Sequence, residues 1–509
     1  EEGKYLFDVM TVNIVTWHDF GKCNPRFQKD KMKHPWHMDL APDNAIGSRH
    51  SILSAMFYLD YFIERINQLE DKQERTKLKD FAYMYSYVIS RHHGNLSDFS
   101  EYMNELLGKG NTEIGEKAWE WYQKWKNGET VKLYKHFTGN MENRLEMQTQ
   151  GQAIGLYAWI RLQFSLLTAA DYYATSEFMS GIEVTDFGKF GDIQQMIWQY
   201  EDGEVQKKIR NYQREIYPME PEKLQQVSEI NILRTELFSE AEENLKRNKD
   251  QSVFYLEAPT GSGKSNTAMN LSFTLMQENS DLRKLFYIYP FNTLVEQNMS
   301  ILEKTFGNKK EIMSQIVVNS LVPFKDKKEV EEDRENSKKY QEILLDRQFL
   351  NYPFILSTHV MLFRTMFGNA KEDVFGFQQL CHSVIVLDEI QSYKINLWSE
   401  MIAFLKEFAE LLDIKVIIMS ATLPNLEVLT DHKENAVRLL SDCLKYFHHK
   451  MFRERVVPKY DLLEEDITLE SLAEHVLENK NKKVLIEFIK KASAEEFYRI
   501  LGERVESVF

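Results

Sequence analysis

The sequence predicts a multidomain chain: an all-α domain in its N-terminal third, then an α/β lobe built on a doubly wound parallel sheet. Three observations predict it. Groups of His and Asp in the first third each sit on, or at the end of, a segment with helical apolar spacing. Beyond residue 250, short apolar runs alternate with helical stretches, and each run ends in a polar motif. Finally, 509 residues exceed one ordinary core and suggest roughly two to four domains.

Composition narrows the class. At 43% hydrophobic and 28% charged the chain reads as a soluble globular protein. Cys23, Cys381 and Cys443 lie far apart with no CxxC pair, which argues against a disulfide framework or a thiolate zinc site and for a reducing, cytoplasmic setting. No secretory signal is visible at the start. Residues 153–170 are the longest apolar region. Arg161 and Gln163 interrupt it and Asp171 follows, so it reads as a buried helix and no membrane partner is expected. A net charge of −15 does not advertise a nucleic-acid binder, yet a global charge leaves room for a local basic channel.

In the first third, the stretch NIVTWHDFGK (13–22) delivers the pair His18-Asp19, then Gly21 and Lys22. His50 precedes a helical apolar face formed by Ile52, Leu53, Met56, Phe57, Phe62, Ile63 and Ile66. Tyr83, Tyr87 and Val88 lead into His92-His93, and Gly94 is placed to stop that helix. Leu162, Leu166, Leu167 and Ala170 form a stripe running toward Asp171. Imidazole and carboxylate suit first-row transition metals, and a carboxylate can bridge two of them. Two such ions roughly 4 Å apart can activate water and neutralise both oxygens of an in-line phosphoryl displacement. Six of the 13 histidines fall in the first 93 residues, which favours a metal site. His34 and His37, in a Pro-containing stretch, read as loop residues.

Residues 202–228 are charged and contain Pro218 and Pro221, the composition of a linker. The apolar run 253–256 then leads into APTGSGKS (258–265) and a helix, the order of a phosphate cradle. Gly261 and Gly263 let backbone N–H groups converge on phosphate oxygens beside Thr260. Lys264 is the residue that reaches the β- and γ-phosphates, and the Ser265 hydroxyl the Mg²⁺ ligand. Further apolar runs end at Pro290, at Ser357-Thr358-His359, at Asp388-Glu389 and at Ser420-Ala421-Thr422. Ligands bind at the carboxyl ends of strands in open α/β sheets. In DEIQ (388–391), Asp388 can hold the Mg²⁺ of ATP and Glu389 can orient or deprotonate the attacking water. Residues 325–339 carry dense charge of both signs and read as a solvated helix or loop. Residues 483–489, with Val484, Leu485, Ile486 and Phe488, read as the first strand of another lobe.

His18-Asp19, Gly21-Lys22 and Asn24-Pro25-Arg26-Phe27-Gln28 resemble the signature of HD-type metal-dependent phosphohydrolases. With the later single His and the His-His doublet, they resemble more narrowly the nuclease domain of CRISPR-associated nuclease-helicases of type I interference systems. The later motifs resemble a superfamily 2 helicase: APTGSGKS, Tyr289-Pro290-Phe291-Asn292-Thr293, DEIQ and Ser420-Ala421-Thr422. The resemblance implies an HD nuclease domain over 1–201, a linker over 202–228, a RecA-like lobe over 229–478 and the start of a second lobe over 479–509.

In the metal site the resemblance makes Asp19 the bridge between two ions (Mn, Fe, Co or Ni), with His18 and Asp171 on the first, His50, His92 and His93 on the second, and Lys22 facing the scissile phosphate. In the motor it makes Arg234 a candidate for the adenine contact. Gln391, Ser420 and Thr422 would couple ATP state to lobe movement, while Pro290, Asn292, Thr293, Thr358 and His359 would touch the sugar-phosphate backbone. The implied activity is nicking and 3′-to-5′ degradation of single-stranded DNA in a prokaryotic cytoplasm. The implied partner is a guide-RNA surveillance complex that supplies the sequence specificity.

The family carries a further histidine ligand upstream, and none precedes His18, so an incomplete N-terminus is expected. The arginine motifs of a second lobe do not appear before Phe509, so ATP binding and metal-dependent cleavage are expected ahead of processive unwinding. Two other readings compete. One is a superfamily 2 helicase whose HD domain acts on RNA or nucleotides, separable by substrate choice. The other is a DNA-docking scaffold with defective sites, separable by bound metal and metal-dependent activity.

Overall fold

The computed structural model describes residues 1–107, 114–127, 141, 143–181, 183, 185–307, 309–319, 346–393, 398–423, 436–460, 467–479 and 481–502. The charged segment 325–339 lies outside the described residues.

Four long helices build the N-terminal part: α1 (Glu2–Trp17), α2 (Ser51–Asn67), α3 (Lys72–Arg91) and α4 (Gln150–Ser180). Their limits follow from local chemistry. The Asp71 side chain accepts from the Gln73 and Glu74 amides to start α3. Thr149 and Gln152 form a reciprocal capping box at the start of α4, and Gly181, at φ +71°, ends it. Leu6, Met10 and Ile14 of α1, with Tyr58, Phe62 and Ile66 of α2 and Ala82, Tyr85 and Ile89 of α3, form the buried core between them.

The second part is the expected parallel sheet. Its strands are β1 (Val253–Glu257), β2 (Lys284–Tyr289), β3 (Ile316–Asn319), β4 (Phe354–Thr358), β5 (Ser383–Asp388), β6 (Lys415–Ser420) and β7 (Ala436–Arg438), in the order β3-β4-β2-β5-β6-β1-β7. All pairs are parallel, with Glu257 beside Ser420, Tyr289 beside Thr358 and Asp388 beside Met419. The five strands read from apolar runs are the five inner ones, and they are buried as such runs require. The edge strands β3 and β7 were not expected, because runs of three or four residues carry too little periodic signal.

Helices α5 (Glu204–Glu215), α6 (Ile230–Arg247), α7 (Lys264–Glu278), α8 (Asn292–Phe306), α9 (His359–Phe367) and α10 (Trp398–Leu411) surround the sheet or link to it. The linker expected at 202–228 is not an open connection. It holds α5 and a short helix, Pro221–Gln226, with Ile209 and Leu224 buried. Its charges find partners: Arg210 donates to Glu242 at 2.7 Å and to Asn270 at 3.0 Å, and Tyr212 donates to Glu236 at 2.6 Å. Charge density in the sequence could not tell solvated charges from paired ones.

The helical part and the sheet share one compact unit, residues 1–447. Helix α4 makes the joint. Tyr157 packs on Phe404 and Phe408 of α10, and its hydroxyl donates to the Met366 carbonyl at 3.0 Å. Arg161, 1% exposed, donates to the carbonyls of Thr365 (3.0 Å), Arg364 (3.4 Å) and Gly368 (2.7 Å) at the C-terminal end of α9, where the Arg364 carbonyl also accepts the Gly368 amide at 2.7 Å. Helix α4 is long and apolar enough to cross a membrane by length and composition, and here half of its most apolar window is buried within the protein.

Residues 448–509 form a second unit around Ala473, Phe497 and Leu501, from α11 (Leu469–Glu478) and α12 (Lys491–Gly502). The strand expected at 483–489 forms no ladder with any described strand, and Leu485 and Ile489 are fully exposed.

Candidate metal centre and nucleotide site

Helix α1 buries its apolar face and so aims its last turn at the other helices. His18 closes that turn, its amide bonded to the Ile14 carbonyl at 3.1 Å. The ring Nδ1 lies 2.6 Å from the Val15 carbonyl, which places the proton there and leaves Nε2 as a lone-pair donor. Nε2 faces Asp19 Oδ2 at 3.5 Å and Asp171 Oδ1 at 3.6 Å. His92 repeats the device at the end of α3: Nδ1 lies 2.6 Å from the Ile89 carbonyl and Nε2 lies 3.8 Å from Asp19 Oδ1. His50, at the start of α2, brings Nε2 within 3.2 Å of Asp19 Oδ1 and 3.0 Å of His93 Nε2.

These atoms form two groups that share one carboxylate: His18, Asp19 and Asp171, and Asp19, His50, His92 and His93, the ligand atoms within each lying within 4.8 Å of one another. His18 Nε2, Asp19 Oδ1 and His92 Nε2 are buried with no hydrogen-bond partner. Leaving such a group unsatisfied costs roughly 1–3 kcal/mol, a cost that a cation between them removes. The donor set therefore fits two divalent first-row ions with Asp19 between them.

The protonation states of His92, His93, Asp19 and Asp171 agree with that fit. Burial opposes charge on His92 and, with His93, pushes it down to about 3; burial and then His50 push His93 down to about 4. Burial also opposes the Asp19 carboxylate, but His50 and Lys22 outweigh it and hold the group well below the usual range. Asp171 is lowered chiefly by the neighbouring His18 ring. For His18, burial works downward, yet Asp171, the Val15 carbonyl and Asp19 together raise its pKa. The Lys22 ammonium is ion-paired to Asp19 at the half-exposed mouth of the site.

The rest of the signature supports these ligands, a role the sequence reading did not assign. Gly21 passes so close to α2 that a Cβ would meet the His50 carbonyl at 2.1 Å, and its amide donates to Ser54 Oγ at 2.8 Å. The fully buried Asn24 donates to the Gly47 and Arg49 carbonyls at 3.0 and 3.1 Å, which fixes the loop that delivers His50. Gln28 donates to the Lys22 carbonyl at 2.7 Å. His34 and His37 stay outside both ligand groups, on exposed loop positions.

At the sheet, β1 runs into the 258–265 loop, where Gly261 and Gly263 take φ of +78° and +90° and α7 begins at Lys264. Positive φ at both is what turns successive amides to one side. Thr260 and Ser265 stand exposed on the loop, and Lys264 is buried, bonded to the Ala258 carbonyl at 3.2 Å and 4.0 Å from Glu389. Burial lowers the Lys264 pKa against the pull of Glu389 and Asp388. Asp388 is pushed up to about 7 by burial and by Glu389, with Lys264 opposing. Glu389 sits at φ +48°, a strained position for a residue with a Cβ. Gln391 bonds Glu389 on one side and accepts from Ser420 Oγ at 2.5 Å on the other; Ser420 Oγ accepts the Thr422 amide at 2.9 Å. Arg234 Nε donates to the Gly261 carbonyl at 2.9 Å, and Arg234 lines a cavity of about 730 Å³ with Gly263 and Asn266.

Asn292 and Thr293 begin α8 after β2, and Thr358 and His359 lead into α9 after β4. Because β2 pairs with β4, these two segments are neighbours at the carboxyl ends of the strands. Thr293 is exposed and His359 half-buried, stacked on Tyr393 at 4.5 Å, whereas Pro290 is buried.

Residues 7–176 match the family described as Cas3, HD domain, and residues 235–429 match the DEAD/DEAH box helicase family. A curated relative, the CRISPR-associated nuclease/helicase Cas3 of Haloferax volcanii, is 23% identical over 180 residues, or 34% of this chain and 19% of that protein. Among solved structures, the crystal structure of T. fusca Cas3 with ATP is 13% identical, with a TM-score of 0.43 over 82% of this chain and 46% of that one. A crystal structure of a CRISPR-associated protein is 14% identical, with a TM-score of 0.49 over 98% and 57% of the two chains. The chain thus spans about half the length of these solved relatives, and a fifth of the curated one.

Proposed function

We propose, for a chain that belongs to the family of CRISPR-associated Cas3 nuclease/helicases, that its helical domain hydrolyses single-stranded DNA and that its RecA-like lobe binds ATP with Mg²⁺ and drives the strand toward that domain. In this reading the strand is foreign DNA, displaced by a guide-RNA surveillance complex and degraded 3′ to 5′.

The observation that carries the reading is the pair of ligand groups sharing Asp19, with three orphaned donor atoms aimed into them. His18 and Asp171 would hold one divalent ion, and His50, His92 and His93 the other. When bound, two such ions activate water and neutralise both oxygens of an in-line displacement. The chain's own contribution is to keep both ring Nδ1 protons on backbone carbonyls, so that the Nε2 lone pairs face the site. Lys22, at the mouth, faces the phosphate and offsets its charge.

At the sheet, the 258–265 loop would cradle the phosphates, Ser265 and Asp388 would hold Mg²⁺, and Glu389 would orient the attacking water. The Glu389–Gln391–Ser420–Thr422 chain of hydrogen bonds supports a role for these residues in coupling nucleotide state to lobe movement. Asn292, Thr293, Thr358 and His359 contact the DNA backbone, and Arg234 shapes the adenine side of the pocket.

The test is cleavage of a labelled single-stranded oligonucleotide by the full chain in Mn²⁺, Co²⁺, Ni²⁺ and Mg²⁺, with and without ATP, beside an RNA of the same sequence and free nucleotides. Metal-dependent cleavage of DNA supports the reading. Turnover of RNA or nucleotides alone replaces it with an HD phosphohydrolase, and no metal binding replaces it with a docking scaffold.

A further inference from the structure

The loop after α9 reaches out of the α/β lobe and lies against the metal centre. Two backbone-level contacts place it there: the Leu96 amide donates to the Asn369 carbonyl at 2.9 Å, and the Lys371 amide donates to Asn95 Oδ1 at 3.3 Å. Asn95 is two residues beyond His93. On the other side, the Lys371 ammonium lies 5.8 Å from the centre of the Phe375 ring. Phe375 is buried with Ala169 and Phe349, and Tyr172 and Tyr173 pack on that cluster. Ala169 and Tyr172 flank Asp171 on α4. Lys371 is therefore bracketed between the loop that follows His93 and the turn of helix that carries Asp171.

We infer that the α/β lobe lends the metal centre a phosphate-binding residue, Lys371, which holds the DNA strand on the His93–Asp171 side as Lys22 does on the Asp19 side. The inference rests on the nuclease reading above. Lys22 is already ion-paired to Asp19, whereas the Lys371 ammonium makes no ion pair within 4 Å among the described residues. A half-buried ammonium with no ion-pair partner among the described residues, beside a centre built to act on a polyanion, is placed to meet a phosphate oxygen. Its charge is felt across the site: burial lowers the Lys371 pKa and Asp171 opposes that, while Lys371 is among the groups that lower His93. Joining the lobe to the centre in this way would make cleavage sensitive to how the lobe is docked.

The experiment compares wild type with Lys371→Met, which keeps the stem on Phe375 and removes the charge, and with Lys371→Arg. Oligothymidylate binding to the full chain is followed by fluorescence anisotropy at rising NaCl, and cleavage is followed in Mn²⁺. Loss of one phosphate contact lowers the slope of log affinity against log salt by about 0.7 on a single strand. It also raises KM by about tenfold with kcat nearly unchanged, because the contact exists before and during reaction. Lys371→Arg restores both. A Lys371→Met protein with wild-type KM and salt slope overturns the inference. If wild type and Asp19→Ala cleave equally, or neither cleaves, the nuclease reading fails, and the anisotropy slope still decides whether Lys371 touches the strand.

Discussion

The metal centre and the nucleotide site are assembled in opposite ways. The nucleotide site draws its parts from β1, β5 and β6, neighbours in one sheet, so strands about 4.8 Å apart bring their carboxyl ends together without further help. The metal centre draws on the end of α1, the start of α2, the end of α3 and the middle of α4, and only the packing of those helices makes them a site. Burial also acts on opposite charges in the two. In one it pushes His92 and His93 toward the neutral imidazole, and in the other burial and Glu389 push the Asp388 carboxyl up to about 7. Two sites built from separate elements of one compact unit are therefore expected to be disabled separately.

The largest effect should come from Asp19→Ala, which removes the ligand shared by both groups. Cleavage should fall by well over about 100-fold, the upper range for loss of an outer partner of a ligand, with ATP binding unchanged in a nucleotide-binding assay. Cleavage at the wild-type rate would break the two-site comparison at its root. Lys264→Ala should remove ATP-driven degradation while sparing nicking of free single strands, measured on the same oligonucleotide with and without ATP. Equal loss of both activities would show that the sites are not separable.

Arg161→Met tests the joint. It strands the carbonyls that end α9, at a cost of about 2 kcal/mol for hydrogen bonds to a buried charge. Amide hydrogen exchange should rise in residues 364–368 first, and unchanged protection there would mean that α4 docks by its apolar contacts alone.

The smallest effects are in pH, measured as urea midpoints in chelator without nucleotide. His92 is depressed to about 3, so its contribution is complete above about pH 6.5 and is lost as pH falls toward 3. Asp388 is raised to about 7, so its contribution is present below about pH 4 and is lost as pH rises through 7. Each slope is at most about 1.4 kcal/mol per pH unit. Relative to wild type, His92→Gln should gain as pH falls and Asp388→Asn should gain as pH rises. Parallel trends would contradict the opposite charge logic of the two sites.

The nucleotide site was legible because its motifs are contiguous and each ends an apolar run; APTGSGKS needs no distant residue to be read. The candidate metal ligands were legible as residue types at helix ends, and their division into two groups around Asp19 came only from the family resemblance, because the spacing itself does not carry it and helix packing makes it. What the sequence hid was support and contact. Asn24, Ser54 and Gln28 act through hydrogen bonds to backbone that no spacing announces. Residues 202–228 read as a linker because the partners of Arg210 and Tyr212, which are Glu242, Asn270 and Glu236, come from helices that fold back on them.

By itself, then, the chain's local patterning determined the order of its parts: an all-α region bearing His and Asp at helix ends, then a parallel sheet with polar motifs at its strand ends. Periodicity and turn chemistry act over a few residues and are written in the sequence. Only the tertiary structure decided that the two regions share one compact unit, that Arg161 of one closes a helix of the other, and that Lys371 lies beside Asn95, 276 residues earlier in the chain. Those contacts join residues whose separation along the chain carries no periodic signal, so they exist only once both cores have packed.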